Sequence, residues 1–125
     1  MLKLLIVEDY ELILNKMADN LSNQGYELLK AATGQAAINI VKEQKPEIIL
    51  LDLGLKDMSG LDVLREAKAL NPKTCVIVLT GFDVESTKEK AFEQGADYFL
   101  AKPIPLKKLR EFIAQAAKKL TGNNQ

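Results

Sequence analysis

The chain has no histidine and no tryptophan, and Cys75 is its one cysteine in 125 residues. A lone cysteine rules out a disulfide framework within the chain. The lack of histidine rules out the common zinc sites and every triad or dyad that needs an imidazole. A metal held here needs oxygen ligands. An excess of charge is missing too, because Lys plus Arg and Asp plus Glu both count 17. That balance argues against a surface built to coat nucleic acid or anionic lipid. No apolar run approaches the roughly 20 residues of a membrane-spanning helix. The N-terminal run Leu4-Leu5-Ile6-Val7 meets Glu8-Asp9 too soon for the core of a signal peptide. A cytoplasmic protein with no membrane partner is the expectation.

What is present suits one folded domain. Hydrophobic residues make up 47% and charged residues 27% of the chain, an ordinary soluble balance at a length typical of one domain. Three apolar runs, Leu4-Leu5-Ile6-Val7, Ile48-Ile49-Leu50-Leu51 and Val76-Ile77-Val78-Leu79, are too short for helices and lack polar alternation. They read as parallel strands buried on both faces. Tyr26 to Ala31 and Tyr98 to Ala101 are weaker strand candidates, the former nearer an edge.

Helical spacing fills the gaps between the strands. Leu14, Met17, Ala18 and Leu21 form one stripe, stopped by Gly25. Ala37, Ile40 and Val41 follow Thr33-Gly34 and end before Pro46. Val63, Ala67 and Leu70 end at Asn71-Pro72. Leu106, Leu109, Ile113, Ala117 and Leu120 mark a long last helix with Pro105 suited to its first turn. The helix near 84–94 offers only Val84, Ala91 and Phe92 as anchors, so it is the one expected to move most easily. The order βαβαβαβαβα implies a doubly wound α/β fold with helices on both faces of a parallel sheet. Residues 1–120 form the domain, and 121–125 are a polar tail or the start of a linker.

In such sheets ligands bind outside the carboxyl ends of the strands. The residues found there are Glu8-Asp9, Asp52, Thr80-Gly81 and Lys102-Pro103. Converging carboxylates repel one another unless a cation sits among them. Oxygen-only ligation suits Mg²⁺, which prefers a few carboxylates together with phosphate oxygens. A carboxylate can also act as the nucleophile toward phosphorus, giving an aspartyl phosphate. Lys102 would then neutralise one phosphoryl oxygen, and the Thr80 hydroxyl would donate to another. Taken singly, each residue has a structural reading: Asp9 as a helix cap, Asp52 as a turn former before Gly54, Thr80 as a strand end, Lys102 as a solvated charge. Cys75 reads as a small packed residue. Lys107-Lys108 and Lys118-Lys119 read as a solvated helix face.

Over nearly its whole length the chain resembles the receiver domain of two-component response regulators. The resemblance is carried by Leu5-Ile6-Val7-Glu8-Asp9, by Leu51-Asp52-Leu53-Gly54-Leu55 with Ser59-Gly60, by Val78-Leu79-Thr80-Gly81, and by Gly95 through Pro103. It implies a flavodoxin-like sheet of order 2-1-3-4-5. It also implies a signalling domain that assists its own phosphorylation and dephosphorylation, not an enzyme with external substrates. Asp52 would take a phosphoryl group from a phosphohistidine on a sensor histidine kinase or phosphotransfer protein. Glu8, Asp9, Asp52 and the Gly54 backbone carbonyl would hold Mg²⁺, with Lys102 and Thr80 contacting the phosphoryl oxygens. Thr80 and Phe99 would act as the switch, remodelling the face of the fourth helix, fifth strand and fifth helix for a downstream protein, an output domain or a second copy of the domain. The Lys102-Pro103 bond would be cis.

The chain departs from the family pattern at a few positions. Lys56 replaces the usual proline, and Phe99 replaces the more frequent tyrosine. Gly54 and Phe82 stand at two positions that influence attack by water, and neither offers an acid or amide, so slow hydrolysis is expected. A flavodoxin-type cofactor site is disfavoured because Glu8-Asp9 would repel a phosphate, and no G-x-G-x-x-G occurs. A haloacid-dehalogenase-type phosphatase would need an Asp where Gly54 stands. The alternative is a receiver used as an unphosphorylated docking module or as the input half of a longer protein.

Overall fold

The computed structural model describes residues 1–81 and 84–122. Five strands, β1 (Leu2–Val7), β2 (Tyr26–Ala31), β3 (Ile48–Asp52), β4 (Cys75–Thr80) and β5 (Tyr98–Ala101), alternate with five helices. These are α1 (Glu11–Leu21), α2 (Gly34–Gln44), α3 (Gly60–Leu70), α4 (Val84–Glu93) and α5 (Leu106–Thr121). The strands pair in parallel in the order β2-β1-β3-β4-β5, the doubly wound arrangement expected from the sequence. β2 lies at an edge, and β1, β3 and β4 are interior.

The unbroken apolar runs have a direct cause: each central strand is covered on both sides. Leu4, Ile6, Ile48, Leu50, Ile77 and Leu79 pack with Leu14, Met17 and Leu21 of α1 and with Leu109 and Ile113 of α5. Their sequence neighbours Leu5, Val7, Ile49, Leu51, Val76 and Val78 point the other way and pack with α2, α3 and Ala91 of α4. Alternate side chains of a strand serve opposite faces, so every residue of the run must be apolar.

The helix faces differ from the sequence reading at their margins. All four α1 positions are buried, but α2 buries Ile38 more deeply than Ile40, and α3 buries Leu64 while Leu70 is 48% exposed. In α5 the buried set is Leu109, Ile113 and Ala116, whereas Leu106 and Leu120 lie exposed. An apolar stripe on a sheet-packed helix is wider than one row, so a neighbour of each marked position turns inward.

Some boundaries move as well. α1 ends at Leu21 with Ser22 as its cap, and Asn23 (φ 62°) and Gly25 (φ 92°) make the turn into β2, so Gly25 shapes the turn after the helix has already stopped. Pro105 sits at the N-cap of α5, just outside its first turn. In α4, Ala91 is fully buried but Phe92 is 44% exposed. The Val84 side chain and Phe82 lie outside the described residues. The Lys102-Pro103 peptide is cis. Among the described residues, no helix is long and apolar enough to cross a membrane.

Register places the site. Val7 is paired with Leu51, so Glu8 and Asp52 are the next residues on two adjacent strands. Asp52 is paired with Leu79, and Thr80 with Ala101, so Thr80 and Lys102 fall one step further along the same rim.

Candidate functional site

Glu8, Asp52 and Thr80 are buried at 0%, 7% and 0% exposure. Lys102 joins them: its ammonium is in direct contact with Asp52 Oδ2 and lies 3.2 Å from Glu8 Oε1. The backbone fixes the two carboxyls from behind. The Tyr10 N–H donates to Glu8 Oε2 at 3.1 Å, and the Gly54 N–H donates to Asp52 Oδ1 at 2.9 Å. The turn-forming role of Asp52 and its place in the site are therefore both present. Lys102 is held by its own backbone, whose N–H donates to the Thr80 carbonyl at 2.8 Å.

Asp9 does not cap α1. The N-cap position is Tyr10, and no side chain caps it. Both Asp9 carboxylate oxygens are buried and, among the described residues, have no hydrogen-bond partner. A bound cation would give those oxygens the partner they lack. Among the described residues no three acidic, cysteine or histidine side chains already converge as a metal cage, and the Lys102 ammonium stands between Glu8 and Asp52. The donor chemistry nevertheless fits a hard divalent ion that takes few protein ligands, since Asp9, Asp52 and Glu8 offer only oxygens and those of Asp9 are unpartnered among the described residues.

The electrostatics of the cluster are unequal. Burial pushes the Glu8 carboxyl upward and the neighbouring Asp52 pushes it the same way, with the Tyr10 amide and Lys102 countering only in part. Burial alone would also raise Asp52. Hydrogen bonds from Glu8, Lys102 and the Gly54 amide outweigh it and hold Asp52 below the usual carboxylate range. Burial opposes the charge on Lys102, yet its contacts with Asp52 and Glu8 raise it above an ordinary lysine. Of the two carboxyls, Asp52 is therefore the one that ionises more readily, the state a nucleophile needs.

The sequence pattern of the response regulator receiver domain matches residues 4–114. The chain belongs to the receiver domain family. This receiver is 37% identical over 111 residues to the transcriptional regulatory protein KdpE of Mycobacterium tuberculosis, covering 89% of the chain and 47% of KdpE. The chain thus spans about half the length of that relative. Its fold superimposes on a CheY-like receiver domain protein from Methanospirillum hungatei with a TM-score of 0.93 at 28% identity, covering 98% of each chain. A response regulator from Burkholderia pseudomallei, solved with a phosphorylated aspartic acid, a calcium ion and citrate, gives a TM-score of 0.82 at 28% identity, covering 95% of this chain and 75% of that one.

The receiver brings Glu8, Asp52, Thr80 and Lys102 together at one rim, as the strand-end reading anticipated. Phe99 is half-buried against the α2–α3 side of the core, its ring 6.4 Å from that of Phe92 and tilted by 44°. Sequence reasoning passed over Asp57. Its carboxylate accepts from the N–H groups of Gly34 and Gln35 at 2.8 and 3.0 Å, tying the segment after β3 to the first turn of α2. Thr33 takes the N–H of Ala36, so side chains satisfy the first three N–H groups of that helix. An acid in a polar loop looks like any turn former, and its partners lie more than 20 residues away.

The bonds from Gly34 and Gln35 hold the Asp57 carboxyl below its ordinary value near 3.8. A depressed acid contributes stability that is fully present above the ordinary value and is lost as pH falls through the lower folded one. Asp57→Asn should therefore have a lower urea midpoint than the parent near pH 7. Between about pH 5 and pH 2.5 its midpoint should also fall less steeply. Equal acid slopes in the two chains would exclude this role for Asp57.

Proposed function

We propose that this receiver is a phosphorylation-activated switch. In this reading Asp52 accepts a phosphoryl group from a phosphohistidine on a sensor histidine kinase or phosphotransfer protein. The observation that carries the reading is a buried acidic cluster in which Asp52 is held below the usual carboxylate range, Lys102 is held against it, and both oxygens of Asp9 lack a partner among the described residues. The Burkholderia regulator with its phosphorylated aspartic acid supports the same chemistry in a relative.

In the transfer, an Asp52 carboxylate oxygen attacks phosphorus, a new O–P bond forms, the P–N bond to the donor imidazole breaks, and its electron pair leaves with the imidazole. Lys102 contacts a phosphoryl oxygen and neutralises it, and the Thr80 hydroxyl donates to another. Glu8, Asp9, Asp52 and the Gly54 carbonyl are the residues that would hold Mg²⁺, which when bound supplies positive charge to the phosphoryl oxygens. Once the Thr80 hydroxyl is engaged with the phosphoryl group, Phe99, one residue beyond the β5 partner of Ile77, repacks against α4. The α4–β5–α5 face then takes a second form, recognised by a downstream protein, an output domain or a second copy of the domain. α4 suits that role because it anchors through few apolar residues, so modest differential contacts shift it between two states.

The experiment is intact-protein mass after incubation with acetyl phosphate, with and without Mg²⁺, followed by peptide mapping. A gain of one phosphoryl group that requires Mg²⁺ and maps to Asp52 is the expected result, and its decay should be slow because Gly54 offers no side chain to orient water. No gain from acetyl phosphate or from a phosphohistidine donor would favour a docking module instead.

A further inference from the structure

The structure gives Lys56 a contact that crosses the rim of the site. Its ammonium lies over the ring of Tyr10, 4.9 Å from the centroid. Tyr10 follows Asp9 directly, and its N–H is bonded to Glu8. Lys56 follows the turn that the Gly54 N–H closes on Asp52. The contact therefore links the segment after β1 to the segment after β3. The far side of the second segment is tied down separately, through Asp57 on the first turn of α2.

We infer that Lys56 and Tyr10 are a positioning pair, a cation–π clasp that sets the separation of the two segments carrying the cation ligands. The inference rests on the proposed ligation by Glu8, Asp9, Asp52 and the Gly54 carbonyl. Those ligands come from two segments that leave the sheet at adjacent strand ends; the Glu8 N–H is anchored on the Ala31 carbonyl and the Leu53 N–H on the Leu79 carbonyl, so the clasp acts on what lies just beyond, Asp9 and the Gly54 carbonyl. Mg²⁺ tolerates little departure from octahedral geometry, so a looser separation costs affinity. Tyr10 is 57% exposed and Lys56 is also exposed. An exposed cation–π contact biases the closed arrangement by about two- to fivefold.

The charge of Lys56 acts in the opposite sense. An ammonium near a cation site repels the cation, so loss of charge alone would tighten Mg²⁺ binding, while loss of the clasp weakens it. Tyr10→Leu separates the two effects because it breaks the clasp and keeps the ammonium.

The test is calorimetric titration of Mg²⁺ into the full chain for the parent, Tyr10→Leu, Lys56→Met, the double variant, and the conservative Tyr10→Phe and Lys56→Arg. Proton chemical shifts of the Lys56 side chain are recorded without metal. The parent shifts should show the upfield displacement of groups over an aromatic ring, and Tyr10→Leu should lose it. Tyr10→Leu should weaken Mg²⁺ about two- to fivefold. Tyr10→Phe and Lys56→Arg should match the parent, and adding Lys56→Met to Tyr10→Leu should cause no further weakening. Parent shifts without a ring effect, or equal affinity in the parent and Tyr10→Leu, would overturn the clasp while leaving the phosphorylation reading intact. A parent that binds no Mg²⁺ would instead overturn the cation ligation on which both rest.

Discussion

Asp52→Asn is expected to end phosphoryl acceptance altogether, with no mass gain from acetyl phosphate at any Mg²⁺ concentration at which the parent is fully converted. An amide oxygen is a poor nucleophile and cannot leave a stable acyl phosphate, so the loss is of the chemistry and not of affinity. The variant should still fold. Asp52 lies at the end of β3 beyond the apolar run, Lys102 retains Glu8, and removing one of two adjacent carboxyls relieves the repulsion that helps raise Glu8. Circular dichroism should therefore be unchanged, and the Glu8 carboxyl should titrate closer to an ordinary glutamate by carbon-detected NMR. A residual mass gain in the folded variant would move the acceptor elsewhere in the acidic cluster, with Asp9 the first position to map.

The architecture was readable because its strongest signals are redundant. Each central strand is covered on both faces, so Leu4 to Val7, Ile48 to Leu51 and Val76 to Leu79 announce burial at every position, and the parallel order follows from the alternation with helices. The strand-end rule then picks out Glu8, Asp52, Thr80 and Lys102 from local position alone, and the register of β1, β3, β4 and β5 brings them together. What was not readable depends on geometry across the chain. Ile38 and Leu64 turn inward because the sheet offers a wider surface than one helical row, and Leu70 and Leu120, at or near the ends of their helices, are exposed. Asp57 on α2 and Lys56 on Tyr10 join segments that no local pattern connects. The unpartnered state of Asp9 is likewise a property of the folded environment, since the same residue before a helix reads equally well as a cap.

Lys102→Met should reduce phosphorylation by acetyl phosphate roughly 100-fold at saturating Mg²⁺, the cost of losing one preorganised donor aimed at developing negative charge. Methionine keeps most of the length and the apolar stem, so the change isolates the ammonium. Stability should fall too. Removing one partner of a fully buried ion pair costs roughly 3–5 kcal/mol. Here the Lys102 side chain is 31% exposed, so about 1–3 kcal/mol is expected. The pH dependence identifies the origin of that loss. Lys102 is raised above the ordinary 10.5, so its contribution is fully present below that value and disappears only as pH rises through the higher folded one. Asp52 is held below the ordinary 3.8 in part by this ammonium, so its contribution is present above that value and is lost as pH falls through the folded one. The gap between parent and variant in urea midpoint should therefore be open across the neutral range and close both in strong alkali and in acid. Added Mg²⁺ should narrow it near pH 7, because a cation bound to the folded chain replaces part of the missing charge and stabilises by mass action. A gap that keeps its size from acid to alkali would mean that Lys102 contributes by packing its stem. A variant that accepts the phosphoryl group at the parent's rate would remove Lys102 from the transfer.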